Sequence, residues 1–166
     1  GFSQENKLKK IDIRGGPPVV ITDLPIFGLR GASWSSRGVI VFGIVGRGNP
    51  LFSVAAGGGT PSAITALEQG REFGHILPWF LPDGIHFLYR TREVGEPRVR
   101  VGSLDEPGKP GKVVGQAQSN AVYAHGHLLY LRQSTLMAQP FDLDRLETQG
   151  EATPLAEGVS VFDGDA

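Results

Sequence analysis

Cysteine is absent from this 166-residue chain, methionine occurs once and tryptophan twice. Without cysteine there are no disulfides, no thiol nucleophile and no thiolate metal ligand. The redox compartment stays open, because a cysteine-free chain survives either poise. No stretch approaches the roughly 20 apolar residues of a membrane span. The start, Gly1-Phe2-Ser3-Gln4-Glu5-Asn6, has neither an initiating methionine nor the pattern of a signal peptide, and the sequence reads as a piece of a longer protein. An excess of one charge is missing too. Sixteen Lys and Arg against 17 Asp and Glu leave a net charge of −1, which favours neither nucleic acid nor an anionic membrane as partner. Helical periodicity never exceeds about two turns; Ala66 to Phe73 comes nearest, and Gly70 interrupts it in favour of a loop.

Punctuation is what the chain has in quantity: 24 glycines and 12 prolines spread along its length, with 40% hydrophobic residues between them. That density suits many short strands joined by tight turns, in a chain long enough to bury a core. The clearest unit is Pro78-Trp79-Phe80-Leu81-Pro82-Asp83-Gly84-Ile85-His86-Phe87-Leu88-Tyr89. Pro-Asp-Gly is turn chemistry, and the strand that leaves it alternates, with Ile85, Phe87 and Tyr89 on one face and His86 and Leu88 on the other. This predicts a β-hairpin. Related hairpins are expected around Trp34 to Phe42 and around Tyr123 to Tyr130, with the aromatics Trp34, Trp79 and Tyr123 spaced 45 and 44 residues apart.

A second unit, strand, Gly-rich turn, strand, alternates with the first. Leu8 to Thr22 lies over Leu51 to Thr65 at an offset of 43 residues without a gap. Val101-Gly102-Ser103-Leu104-Asp105 with Lys112-Val113-Val114 continues the series. Leu136 to Asp142 begins a fourth copy, whose return strand is delayed to Ala152-Thr153-Pro154-Leu155 by the longer loop Leu143 to Glu151. Four strands per roughly 40–45 residues is the signature of a β-propeller blade.

His75 to Tyr89 resembles the repeat of TolB-type, WD-repeat-like bacterial propellers. Leu128 to Asp142, with the loop Asp144 to Glu151, is similar to the propellers C-terminal to bacterial Ser/Thr protein kinases. The resemblance spans about Leu8 to Val161. It implies an extracytoplasmic sensor-like part of a membrane-anchored receptor kinase, with a cytoplasmic location left open. The chain itself has no kinase element, neither a Gly-rich phosphate loop leading to its lysine strand nor a His-Arg-Asp catalytic loop.

Each residue that tempts a chemical reading has a structural one beside it. His125-Gly126-His127 has a spacing that places two imidazoles near a metal, but it sits on a hairpin turn with no third ligand close in sequence. His75 is expected to hydrogen-bond within its blade, and His86 to be solvated or tucked under a neighbouring strand. Asp12, Asp105 and Asp142 align before the turn of the second unit and read as Asx turn residues, as does Asp83. Ala55 breaks that series, which a shared catalytic role would not tolerate. Gly57 to Gly59 lack the lysine and helix start of a phosphate cradle. Ser33, Ser35 and Ser36 flank Trp34 without a nucleophile elbow. Arg90, Arg92, Arg98 and Arg100 form the densest positive patch, each pair on one strand face; a solvated edge is the expectation, an acidic partner the alternative. Trp34, Phe42, Trp79, Phe87 and Tyr89 are expected to fill the gaps between blades.

The reading is therefore all-β: a single partial β-propeller over 1–166, with about three to four four-stranded antiparallel blades. Its pieces are 8–22, 31–65, 76–115, 119–155 and the start of a further blade at 158–162. Leu8 to Thr22 would supply only the two outer strands of the first blade. The expected function is a non-enzymatic interaction or ligand-sensing module, with no catalytic, cofactor or metal residues, no nucleic-acid partner and no membrane insertion. An arc of blades with apolar faces at both ends is expected to self-associate as a dimer. The alternatives are the propeller gate of a prolyl-oligopeptidase-like serine hydrolase, which needs a hydrolase domain beyond this chain, and a glycosidase-type propeller, which needs two facing carboxylates.

Overall fold

A computed structural model describes residues 1–24 and 28–160. Among them there is no helix, and so none long and apolar enough to cross a membrane. Four antiparallel sheets follow one another along the chain. The first holds β1 (Phe2–Gln4), β2 (Lys7–Lys10) and β3 (Val19–Asp23). The second holds β4 (Leu29–Trp34), β5 (Val39–Ile44), β6 (Phe52–Ala55) and β7 (Ser62–Ala63). The third holds β8 (Glu72–Phe80), β9 (His86–Glu93), β10 (Arg98–Ser103) and β11 (Lys112–Gln116). The fourth holds β12 (Val122–Ala124), β13 (His127–Arg132), β14 (Thr135–Asp142), β15 (Glu147–Thr148) and β16 (Thr153–Ala156). In the first three sheets spatial order follows chain order, as in a meander; in the fourth, β15 and β16 both pair with β14.

The second, third and fourth sheets run over 29–63, 72–116 and 122–156, and the first over 2–23. Phe2–Gln4 pairs with β2, so that sheet has three strands instead of two. The expected strand at 158–162 is not formed over 158–160, and Val161 and Phe162 lie outside the described residues. The delayed return strand is present as β16, but the loop before it carries a further short strand, β15, on Phe141 and Asp142.

The sheets stack face to face, and strand alternation divides each middle sheet between two cores. Ile40, Phe42 and Ile44 of β5 pack with Leu8, Ile21 and Leu24 of the first sheet region. Val41, the alternate residue, joins Leu51, Ile64, Phe87 and Tyr89 between sheets two and three. Leu88, flanked by Phe87 and Tyr89, turns the other way to meet Leu128, Tyr130, Met137 and Phe141 of the fourth sheet. Period-two alternation with both faces apolar is what a sheet sandwiched between two others requires. The far side of the first sheet is different. There Lys7 pairs with Asp23 and Lys9 contacts Gln4 and Glu5, beside the exposed Val19 and Val20 of β3, so that end mixes charged and apolar side chains.

The tryptophans depart from expectation. Phe42, Phe87 and Tyr89 are buried, whereas Trp34 is 46% and Trp79 42% exposed. Hairpin register explains Trp79. Ser35 N–H bonds Val39 O in one hairpin and Leu81 N–H bonds His86 O in the next, so Trp34 corresponds to Phe80 and not to Trp79. Phe80 pairs with Phe87 and meets its ring edge-on at 5.7 Å, while Trp79 pairs with Leu88. A one-residue slip moves a side chain to the opposite face. Trp34 is in the expected phase, but the strand in front of it, β1, has only three residues and leaves the ring at the border of a gap.

Candidate functional site

Among the described residues two polar regions stand out once the cores are assigned, one largely sealed and one open. The sealed region lies at the edge of the interface between sheets two and three. Arg98 and Arg100 on β10 share a face with Tyr89 and Thr91 of β9, and that face turns inward, leaving the two arginines 8% and 6% exposed. The solvated-edge expectation is thus wrong for this pair. The acidic partner exists, and it is supplied by the chain itself. Arg98 Nη2 and Arg100 Nε reach Glu72 Oε1 at 2.8 and 3.0 Å. Arg98 Nε reaches Glu93 Oε1 at 2.7 Å, Arg71 Nε reaches Glu93 Oε2 at 2.7 Å, and Arg100 Nη2 reaches Glu68 Oε2 at 2.8 Å. Backbone groups and hydroxyls complete the network: Glu68 N–H donates to Glu72 Oε2, Thr91 Oγ1 to Glu93 Oε1, and Arg100 Nη1 to Gly111 O.

His75 is wholly buried in this network and bonds beyond its own sheet as well as within it. Its Nε2 lies 3.1 Å from Glu72 Oε2 and its Nδ1 2.8 Å from Thr65 Oγ1. Thr65 Oγ1 also accepts Leu51 N–H. Hydroxyl, imidazole and carboxylate stand in the order of a nucleophilic triad. Their burial rules out that use: all three residues are under 9% exposed, and Glu72 is already occupied by two guanidinium groups. Burial alone would raise the Glu72 pKa, but the His75 hydrogen bond, the Glu68 amide and the charges of His75 and Arg100 outweigh it and lower it to about 2. Burial likewise pushes the Tyr89 hydroxyl up to about 12. Sequence reading missed Glu72 because the register shift between Glu72 and Gly74 breaks strand alternation, so its partnership with His75 is hidden.

The remaining candidates resolve into turn and tether roles. Asp83 Oδ1 accepts Ile85 N–H and His86 N–H, and its Oδ2 holds His86 Nδ1 at 2.5 Å. Asp12 Oδ1 accepts Arg14 N–H, and Asp142 Oδ1 accepts Asp144 and Arg145 N–H, as Asx turns do. At the third aligned position the roles reverse: Asp105 N–H donates to the Ser103 hydroxyl. Ser33 Oγ accepts Phe80 N–H and Ser35 Oγ donates to Gly84 O, tying β4 to the next sheet's hairpin. His125 and Gly126 form a tight turn at positive φ, and the His127 ring bonds the His125 carbonyl. Among the described residues no group of three His, Cys, Asp or Glu side chains is placed to hold a metal ion. Gly57 to Gly59 form a turn leading to β7, not a helix.

The open region is a cleft of 340 Å³ between sheets three and four. One wall is the β9–β10 loop and β11 with the residues after it, contributing Glu96, Gln116 and Gln118; the other is Tyr130, Arg132, Gln139 and Thr148. It opens where the outer strand of the fourth sheet is split. β15 covers Phe141 and Asp142, β16 covers Leu136 to Ala138, and between them Gln149 N–H donates to Pro140 O while the Gln139 side chain bonds Gly150 O. The long loop was legible in the sequence; the cleft that it opens was not. No protein-family model matches the chain, and no curated protein matches it.

Proposed function

We propose that this chain is an arc of β-propeller blades serving as a non-enzymatic interaction or ligand-sensing module. On the resemblance of His75 to Tyr89 and Leu128 to Asp142, it would be the extracytoplasmic part of a bacterial receptor-type Ser/Thr kinase. One observation carries the reading: the side chains that chemistry would need are engaged in structure. His75 and Glu72 sit in a sealed ion network, Asp83 and His86 lock a hairpin, and Ser33 and Ser35 tether one sheet to the next. Open polar surface is present in a cleft between sheets three and four, a common kind of place for a ligand. Self-association belongs to the same reading, with the fourth sheet's far face meeting a second copy.

The parent gene tests the assignment. A kinase domain upstream is the expected result; an α/β-hydrolase domain downstream with a nucleophile elbow would replace it with the gating alternative. For the purified chain, no turnover of nitrophenyl esters or glycosides is expected, and turnover lost in His75→Ala or His86→Ala would overturn the non-enzymatic reading. Sedimentation at micromolar concentration should show a dimer, and a stable monomer would remove that part.

A further inference from the structure

We infer that the cleft between the third and fourth sheets binds a free α-amino acid, a deepening that rests on the ligand-sensing reading above. Its two charged residues have opposite sign and stand on opposite walls. Arg132 comes from the fourth sheet and Glu96 from the β9–β10 loop of the third. They form no ion pair with each other, and among the described residues Glu96 makes none at all. A cleft that keeps a cation and an anion apart is complementary to a molecule carrying both charges, one for each wall.

The cationic wall is built in advance. Arg132 Nη2 donates to Tyr130 Oη at 3.2 Å, and its guanidinium carbon lies 5.8 Å from the Tyr130 ring centroid. Tyr130 Oη donates in turn to Gln139 Oε1 at 3.0 Å, and Gln139 Nε2 donates to Gly150 O at 3.2 Å. The buried Tyr130 thus fixes one guanidinium nitrogen and leaves other N–H groups for a carboxylate, which Arg suits through paired hydrogen bonds. The acidic wall is held by its neighbour, since Pro97 O accepts Ala117 N–H at 3.2 Å. Glu96 is therefore offered to an ammonium group from a fixed loop base. On the same wall as Glu96, the Gln116 amide supplies a donor and an acceptor for a polar side chain. A volume of 340 Å³ admits an amino acid with room for solvent.

Calorimetric titration of the purified chain with L-glutamine, L-leucine and L-arginine tests this. At least one should bind, and its N-acetylated and C-amidated derivatives, each lacking one charge, should bind at least tenfold more weakly. Glu96→Gln and Arg132→Gln should each weaken binding at least tenfold with an unchanged melting temperature, since both side chains are exposed. No binding of any of the three, or binding that survives Glu96→Gln, would overturn the inference. Binding of a neutral sugar such as maltotriose in their place would overturn it while leaving the ligand-sensing reading standing.

Discussion

Sheets two and three meet differently from sheets three and four. At the first interface the backbones themselves are joined: His75 N–H bonds Asn49 O, Asn49 and Gly74 form a parallel bridge, and Ser33 and Ser35 reach across to the next hairpin. Gly43 makes this approach possible, because a Cβ there would sit 3.0 Å from His75 O and 3.1 Å from Ile76 Cα. Beside this close contact Arg98, Arg100 and Glu72 are buried and satisfy one another, and only Glu68 and Arg71 at the rim of the network reach solvent. The second interface has an apolar centre around Leu88, Leu128 and Met137 and then diverges into a cleft at its outer edge. Polar residues in the tight interface become structure; in the splayed one they stay available. The same stacked-sheet plan yields a lock in one place and an open cleft in the other.

The lock should be the more costly to break. Glu72→Ala leaves Arg98 and Arg100 buried without their shared acceptor and removes the partner of His75. Truncating one member of a buried ionic network typically costs about 3–5 kcal/mol, measurable by urea unfolding. A loss below about 1 kcal/mol would mean that water enters and rescues the arginines.

Acid should open the lock without mutation. The Glu72 carboxyl titrates at about 2 in the folded chain against an ordinary value of 4.5, so protonation favours the unfolded state. Its contribution is complete above about pH 4.5 and is lost as pH falls towards 2, on the order of 3 kcal/mol at about 1.4 kcal/mol per unit. Unfolding free energy followed from pH 5 to 2.5 in wild type and Glu72→Gln should show a steeper fall in wild type. Parallel slopes would remove Glu72 as the source.

Gly43→Ala probes the close approach itself. The added methyl meets backbone atoms of Arg30, His75 and Ile76, which cannot swing aside as a side-chain tip would. Overpacking of this kind costs about 1–3 kcal/mol, and amide exchange should quicken along β8 before it does in the fourth sheet. Uniform quickening would show that the two interfaces open as one unit.

How much of this was legible in the sequence follows from period and offset. Sheet succession could be read because turn glycines and alternating strands recur at near-constant spacing, and Asp83, Asp12 and Asp142 advertise their turns through local chemistry that needs no tertiary information. Arg98 and Arg100 could be placed on one face, but not told whether that face met water, because burial depends on the second sheet. Glu72 and the phase of the aromatic row were hidden for a shared reason. β8 carries register shifts after Glu72 and after Ile76, with Leu77 at φ 55°, and each shift resets which residues point inward. The cleft was hidden because it belongs to two repeats, and neither alone shows a gap.

That phase error makes the smallest expected effect the most informative. If the aromatic row runs through Trp34, Phe80 and Tyr123, then Trp79 is a half-exposed residue beside the core, and Trp79→Ala should cost about 1 kcal/mol or less. Phe87→Ala, which removes a ring with no exposed surface, should cost about 3–5 kcal/mol. The pair is a controlled comparison, because both are aromatic truncations in one hairpin and differ in the face that each presents. Urea unfolding of the two variants side by side reads it directly. A Trp79 loss equal to that of Phe87 would place Trp79 in the inward row, shift the β8–β9 register by one residue and return the anchor spacing to 45 residues.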